Sequence, residues 1–217
     1  MTRFVVIGGD AAGMSAAAQA TRGVEAVELV VFERGQFTSY AACGLPYFVG
    51  GLVGDADRLV ARSPEEHRRR GVDVRTGHEV VAIHPDEQVV EVRVVETGAV
   101  SREPYDHLLI ATGASPIRPP FPNIDAKGVR GIHVIPDAVA LDDQIRDRSP
   151  RRAVVVGGGY IGLEMVEALQ LRGLEVTPVE KLDQPMATLD ADMGARVAEG
   201  LVAQGVRPPQ GGLVHPD

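Results

Sequence analysis

Two short apolar runs, each stopped by a cluster of glycines, set what this chain can fold into. Phe4-Val5-Val6-Ile7 runs into Gly8-Gly9-Asp10-Ala11-Ala12-Gly13, and Ala153-Val154-Val155-Val156 runs into Gly157-Gly158-Gly159-Tyr160-Ile161-Gly162. The first, a brief β-branched run ending in glycine, reads as a buried parallel strand, and the second starts a second βαβ unit. Residues 13–22 follow the first turn as a helix of small side chains, which lets helix and sheet pack closely. Glu28 to Phe32 then reads as a second strand, closing a βαβ unit at Glu33. Gly157 lies 149 residues after Gly8, and each half carries an Arg-Gly pair before its second strand, Arg22-Gly23 and Arg172-Gly173.

The second turn is a full Gly-x-Gly-x-x-Gly. Gly157 permits the tight turn, Gly159 lets a pyrophosphate approach the backbone, and Gly162 lets helix pack on strand. The anion then meets the free N–H groups of a helix start. Glu180 closes the next strand, placed for ribose hydroxyls, and its charge repels a 2′-phosphate, which favours NADH over NADPH; Lys181 beside it tempers that preference. The first turn keeps Gly8 and Gly13 but has Asp10 at the middle position, so a negative charge near the pyrophosphate is expected to cost some affinity. Glu33 restores the pattern. The competing reading of the first turn is a nucleotide turn that no longer binds; that of the second is a glycine-rich turn in some other α/β protein.

Between the turns, Ser63-Pro64-Glu65-Glu66 is a helix start with a capping box, and Gly71 ends that helix. Glu79 to Ile83 and Gln88 to Val95 are strands about a turn at His84-Pro85-Asp86-Glu87. Val90, Val92 and Val94 alternate with Glu91 and Arg93, as in a strand with one wet face. Leu108-Leu109-Ile110 leads into Ala111-Thr112-Gly113. Pro116, Pro119, Pro120 and Pro122 make a stiff connection. The predicted class is α/β with two Rossmann-like three-layer units, 1–117 and 118–217; the first carries a small antiparallel meander and the second is incomplete. A helix from about Ala191 to Gln204 ends the pattern, and the residues from 206 onward, with Pro208 and Pro209, make a poor strand.

A net charge of −8 argues against nucleic acid or an anionic membrane as partner. No apolar stretch is long enough to span a bilayer and no signal peptide is read, so a soluble cytoplasmic chain is expected. No metal site is read. A single cysteine excludes an intrachain disulfide. That residue, Cys43, lies in Ser39-Tyr40-Ala41-Ala42-Cys43-Gly44-Leu45-Pro46-Tyr47. A lone cysteine is commonly a small buried apolar residue. Here Gly44-Leu45-Pro46 can open a helix just after it, and a thiol at a helix N-terminus has a lowered pKa. Without a second cysteine it must cycle through a mixed disulfide with a small thiol or through a sulfenic acid.

These segments together resemble the single-cysteine branch of the flavin-dependent pyridine nucleotide–disulfide oxidoreductases, closest to the coenzyme A-disulfide reductases, with NADH oxidases and persulfide reductases nearby. The likeness runs from about Arg3 to about Gln204. It rests on Val6-Ile7-Gly8-Gly9 through Ala17, on Ser39 to Pro46, on Tyr105 to Pro116, and on Gly157 to Glu164. The resemblance implies FAD on the first turn (Gly8, Gly9, Ala12, Gly13, Glu33, with Thr112 and Gly113). It implies NAD(P)H on the second (Gly157, Gly159, Tyr160, Ile161, Gly162, Glu164, Glu180), with Tyr160 and Glu164 gating and positioning the nicotinamide.

Cys43 would be the catalytic thiol beside the flavin. Ser15, Gln19, Arg22 and Ser39 match positions that contact a CoA-like substrate; the first three also read as a plain solvated helix stripe. Ala42 stands where the family usually has asparagine, a departure that counts against CoA recognition. No histidine occupies the first loop, which favours a disulfide over peroxide or oxygen as acceptor. Pro178 falls where the family has an unbroken central strand. Family members are about twice this long and homodimeric, so a truncated form lacking the dimerisation domain, weakly active and weakly binding FAD, is expected. The alternatives are an NADH oxidase or persulfide reductase, a ferredoxin-reductase-like flavoprotein in which Cys43 is incidental, and a non-catalytic nucleotide-binding fragment of a broken gene.

Overall fold

The strand β1 (Thr2–Ile7) is apolar on both sides because both sides are covered. In the computed structural model, which describes residues 1–22 and 27–208, it pairs in parallel with β2 (Val27–Glu33) on one edge and with β7 (His107–Ile110) on the other. β3 (Asp73–Thr76) adds to β2, giving the order β3-β2-β1-β7. Alternate residues face alternate layers, as a pleated strand requires. Val6, Leu29, Val31 and Val74 pack with Met14 and Ala17 of α1 (Ala11–Ala20). Val5, Ile7, Val30 and Phe32 pack instead on Val90 and Val92. These two valines belong to a three-stranded antiparallel meander of β4 (His78–His84), β5 (Val89–Val94) and β6 (Val100–Pro104). Helix, sheet and meander are the three predicted layers.

Local signals fixed most of the boundaries. The Ser63 hydroxyl accepts from the Glu66 N–H while the Glu66 carboxylate accepts from the Ser63 N–H, and α3 (Pro64–Arg69) starts there. Gly71 follows α3 at φ +85°, a conformation that favours glycine. Helix α1 begins two residues earlier than expected, because Asp10 is its N-cap and Gly13 lies inside its first turn.

The chain divides into two compact units. The first holds residues 1–41 and 59–115; the second holds 42–58 and 116–217. A single cut after residue 117 does not describe this partition. Residues 42–58 carry α2 (Leu45–Val49), which packs on α4 (Ile135–Arg148) and α5 (Tyr160–Leu171) through buried Leu45, Phe48 and Val49.

In the second unit, β8 (Arg152–Val156) pairs in parallel with β9 (Glu175–Val179), and α5 joins them. Pro178 sits within β9 opposite Val155. It is tolerated because β9 has a ladder on one side only among the described residues, so β9 is an edge strand there. Helix α6 (Ala191–Ala203) follows, and residues 206–208 form no strand. The expectations for Gly23 and for residues 209–217 lie outside the described residues. No helix among the described residues is long and apolar enough to cross a membrane.

Candidate nucleotide sites and the cysteine segment

The two glycine turns repeat each other bond for bond. The first-glycine N–H donates to the last carbonyl region of the second strand: Gly8 to Phe32 at 2.9 Å, Gly157 to Val179 at 2.8 Å. Helix closure is the same, with Met14 N–H on the Asp10 carbonyl and Leu163 N–H on that of Gly159. The second residue of each turn offers its carbonyl to the chain beyond the second strand, Gly9 to the Ser39 N–H and Gly158 to the Met186 N–H. The acid at the end of the second strand also plays one part twice. A Glu33 carboxylate oxygen accepts from the Gly9 N–H at 2.7 Å and the other from Gly35; Glu180 accepts from Gly158 at 2.6 Å and from Leu182 at 3.0 Å.

Sterics explain why glycine recurs. A Cβ on Gly13 would lie 1.9 Å from the Gly8 carbonyl oxygen, and one on Gly162 would lie 1.8 Å from that of Gly157. Gly8 and Gly157 take φ +108° and +114°. A Cβ on Gly159 would meet nothing within 4 Å, so packing does not demand glycine at this position. An open backbone at a helix N-terminus, flanked by a strand-end acid, is the shape and chemistry a dinucleotide pyrophosphate and ribose require.

The Glu180 carboxyl lies below the ordinary carboxylate range. Burial alone would raise it, but the N–H groups of Leu182, Gly158 and Lys181 together outweigh burial. A carboxyl lowered by folding contributes stability above its unfolded pKa and loses it as pH falls through its folded value. Wild type and Glu180→Gln are therefore expected to differ in melting temperature at neutral pH, with the gap closing as pH drops below the usual carboxylate range. A gap that stays constant with pH would contradict the assignment.

Asp10 Oδ1 accepts from the Tyr40 N–H at 3.2 Å, so the carboxylate ties the first turn to the strap leading toward Cys43. Burial raises its pKa, more than the N–H groups of Tyr40 and Ala11 lower it. Ser39, at φ +47°, is bonded from all sides in the same strap. Its N–H reaches Gly9, its carbonyl accepts from Ala61, and its hydroxyl lies 2.9 Å from His67 Nε2. His67 is buried, and desolvation, followed by the nearby Arg62 and Arg70 charges, lowers its pKa.

Ser15 and Gln19 are exposed one turn apart on α1. Arg22 is exposed too, but it lies past the helix end, its N–H bonded to the Gln19 carbonyl, so the stripe is two helical residues and a turn. Ala12 is exposed at the start of α1; Tyr160, Ile161 and Glu164 are exposed at the start of α5. Thr112 and Gly113 line a groove of about 220 Å³ with Gly8, Glu33, His78 and Val80. The contribution of β4 to this groove was not anticipated; the signal was the tight Gly77 turn, at φ +69°, that sends the chain from β3 straight into β4. Cys43 sits in the 3-10 turn Ala42–Gly44, directly before α2, and is exposed, which overturns the buried-residue reading. Among the described residues no cluster of potential metal ligands occurs.

A pair of such turns, each with its acid tie, has the pattern of two dinucleotide-binding turns. The model of the pyridine nucleotide-disulphide oxidoreductase family matches residues 2–209, and the chain belongs to that family. It is 37% identical over 182 residues to an NADH oxidase of Enterococcus faecalis, covering 84% of this chain and 40% of that protein. It is 34% identical over 202 residues to the coenzyme A disulfide reductase of Staphylococcus aureus, covering 93% of this chain and 45% of that one. Among solved structures, the reduced Bacillus anthracis CoADR-RHD superimposes with a TM-score of 0.92 at 39% identity, over 94% of this chain and 37% of that one. The chain thus spans less than half the length of these relatives.

Proposed function

We propose that this chain forms the nucleotide-binding part of an FAD-dependent NAD(P)H oxidoreductase that reduces a small, CoA-like disulfide through Cys43. What carries the reading is the repeated turn, built twice with the same bonds and the same acid, in a chain with one exposed thiol. Gly8, Gly9, Ala12, Gly13, Glu33, Thr112 and Gly113 would hold FAD; Gly157, Gly159, Tyr160, Ile161, Gly162, Glu164 and Glu180 would hold the nicotinamide nucleotide. FAD, when bound, supplies the two-electron relay between nicotinamide and sulfur.

The chain's own part is simpler. The turn N–H groups bind and orient phosphate, and Glu33 and Glu180 brace the turns. Cys43, as thiolate, attacks one sulfur of the disulfide and displaces the other as a thiolate. Two electrons and a proton then release the second thiol and restore Cys43. Ser15, Gln19 and Arg22 would meet a CoA-like substrate from the exposed side of α1, with Arg22 suited to a phosphate. For Ser39 the contact would be through its hydroxyl, already paired with His67. The relatives' names support this substrate class: a coenzyme A disulfide reductase and a CoA polysulfide/persulfide reductase both match the chain.

The test is NADH-dependent thiol release from CoA disulfide with FAD supplied, alongside iodoacetamide labelling of Cys43 before and after NADH. Binding of both nucleotides with no change in labelling would sink the reading. Glu180 also sets the preferred nucleotide. Wild type is expected to favour NADH over NADPH, and Glu180→Gln to narrow that preference about tenfold, since it removes one like-charge contact with a 2′-phosphate. An unchanged ratio of the two affinities would show that Glu180 does not choose between them.

A further inference from the structure

Helix α2 is five residues long, too short to hold itself in water. Leu45, Pro46, Phe48 and Val49 are buried, and Gly50 at its C-cap approaches α5 so closely that a Cβ would lie 3.3 Å from the Ala168 Cα. The last carbonyl of the helix, at Val49, is one of the acceptors a helix end leaves without a partner. It accepts from Arg172 Nη1 at 2.7 Å. The same nitrogen donates to Asp142 Oδ1 at 2.5 Å. Asp142, on α4, is 8% exposed, and its other oxygen meets Arg146 at 3.1 Å. One guanidinium just past the end of α5 therefore holds the end of α2 and is itself held by a buried carboxylate.

The charge suits the place, because a cation complements a helix C-terminus. Net stability is a poor reason for the arrangement. Taking an ion pair out of water costs about as much as the pair returns. What the geometry does uniquely is fix α2, and at the other end of α2 is Cys43, an exposed residue with no burial of its own to place it. We propose that Arg172 and Asp142 are positioning residues for Cys43, clamping the helix that carries the thiol. This deepens the reading of Cys43 as the redox thiol and rests on it.

The full 217-residue chain suits the test, since a nitroxide attached to a chain with one cysteine reports that position alone. The amides of Gly50, Gly51 and Leu52, which donate to α2 carbonyls, report the helix by hydrogen exchange. In Arg172→Met these amides are expected to exchange about tenfold faster, as loss of a hydrogen bond from a charged donor implies. The nitroxide spectrum should sharpen, and the amides of α5 should keep their rates. Arg172→Lys should restore most of both signals, and Asp142→Asn should shift both in the same direction by less. If Arg172→Met does not fold, Asp142→Asn and Arg172→Lys carry the same readouts. A folded variant with unchanged α2 exchange and an unchanged nitroxide spectrum overturns the proposal. So does equal loosening of α2 and α5, which would reduce the pair to general support. Failure of the redox reading shows separately, as Cys43 alkylation that does not respond to NADH while the clamp variants still loosen α2.

Discussion

Gly162→Ala is expected to cost at least about 2 kcal/mol of stability, while Gly159→Ala, three residues away, leaves stability unchanged within about 0.5 kcal/mol. The two substitutions add the same methyl group to the same turn. At Gly162 that methyl would lie 1.8 Å from the Gly157 carbonyl oxygen, a contact with rigid backbone that no rotamer change relieves. At Gly159 it meets nothing within 4 Å, and the backbone there is extended, at φ −82° and ψ −172°, which any residue adopts. The cost of Gly159→Ala should appear in binding instead, because the methyl occupies the surface left open for a pyrophosphate. Thermal melts of the two variants, with NADH titrations beside them, separate the roles. Equal destabilisation would contradict the steric reading, and undiminished NADH affinity in Gly159→Ala would contradict the assignment of that open face. The same logic places Gly13→Ala with Gly162→Ala, since its Cβ would lie 1.9 Å from the Gly8 carbonyl oxygen.

What could be read from the residues alone was whatever local chemistry dictates. Phe4 to Ile7 announces a buried parallel strand because both faces must be apolar; Ala153 to Val156 announces a strand of the same kind, yet Val154 and Val156 are each 65% exposed. Val90 and Val92 alternate with charge because one face is wet, and Ser63 with Glu66 spells a capping box. The two turns were legible because phosphate binding and helix packing both demand glycine at fixed offsets. The packing of residues 42–58 was not legible. Leu45, Phe48 and Val49 say that α2 is buried, but nothing in their spacing says that its neighbours are α4 and α5, about ninety residues and more along the chain. Arg172 showed the same limit. Its place before a glycine marked a repeat, yet its partners, Val49 and Asp142, are 123 and 30 residues away. For Asp10, a strand-turn-helix pattern shows a charge in the turn but cannot show that its carboxylate also takes the Tyr40 N–H thirty residues downstream.

Cys43→Ser is expected to reduce NADH-dependent thiol release by at least about a thousandfold, the scale on which loss of a nucleophile acts. Serine is nearly the same size, and the residue is exposed, so the fold should change in stability by less than about 0.5 kcal/mol. What is lost is chemical. A hydroxyl is not ionised near neutral pH and cannot form the sulfur–sulfur bond through which the disulfide is exchanged. The proposed function assigns nucleotide binding to the glycine turns and their acids, so NADH oxidation with ferricyanide as acceptor should survive the substitution at the rate the unaltered chain shows. That split isolates the sulfur step from the nucleotide steps. Equal loss of both activities would mean that the substitution damaged the turns or the fold. Thiol release by the serine variant at the wild-type rate would remove Cys43 from the chemistry and leave a nucleotide-dependent reductase that works without a thiol.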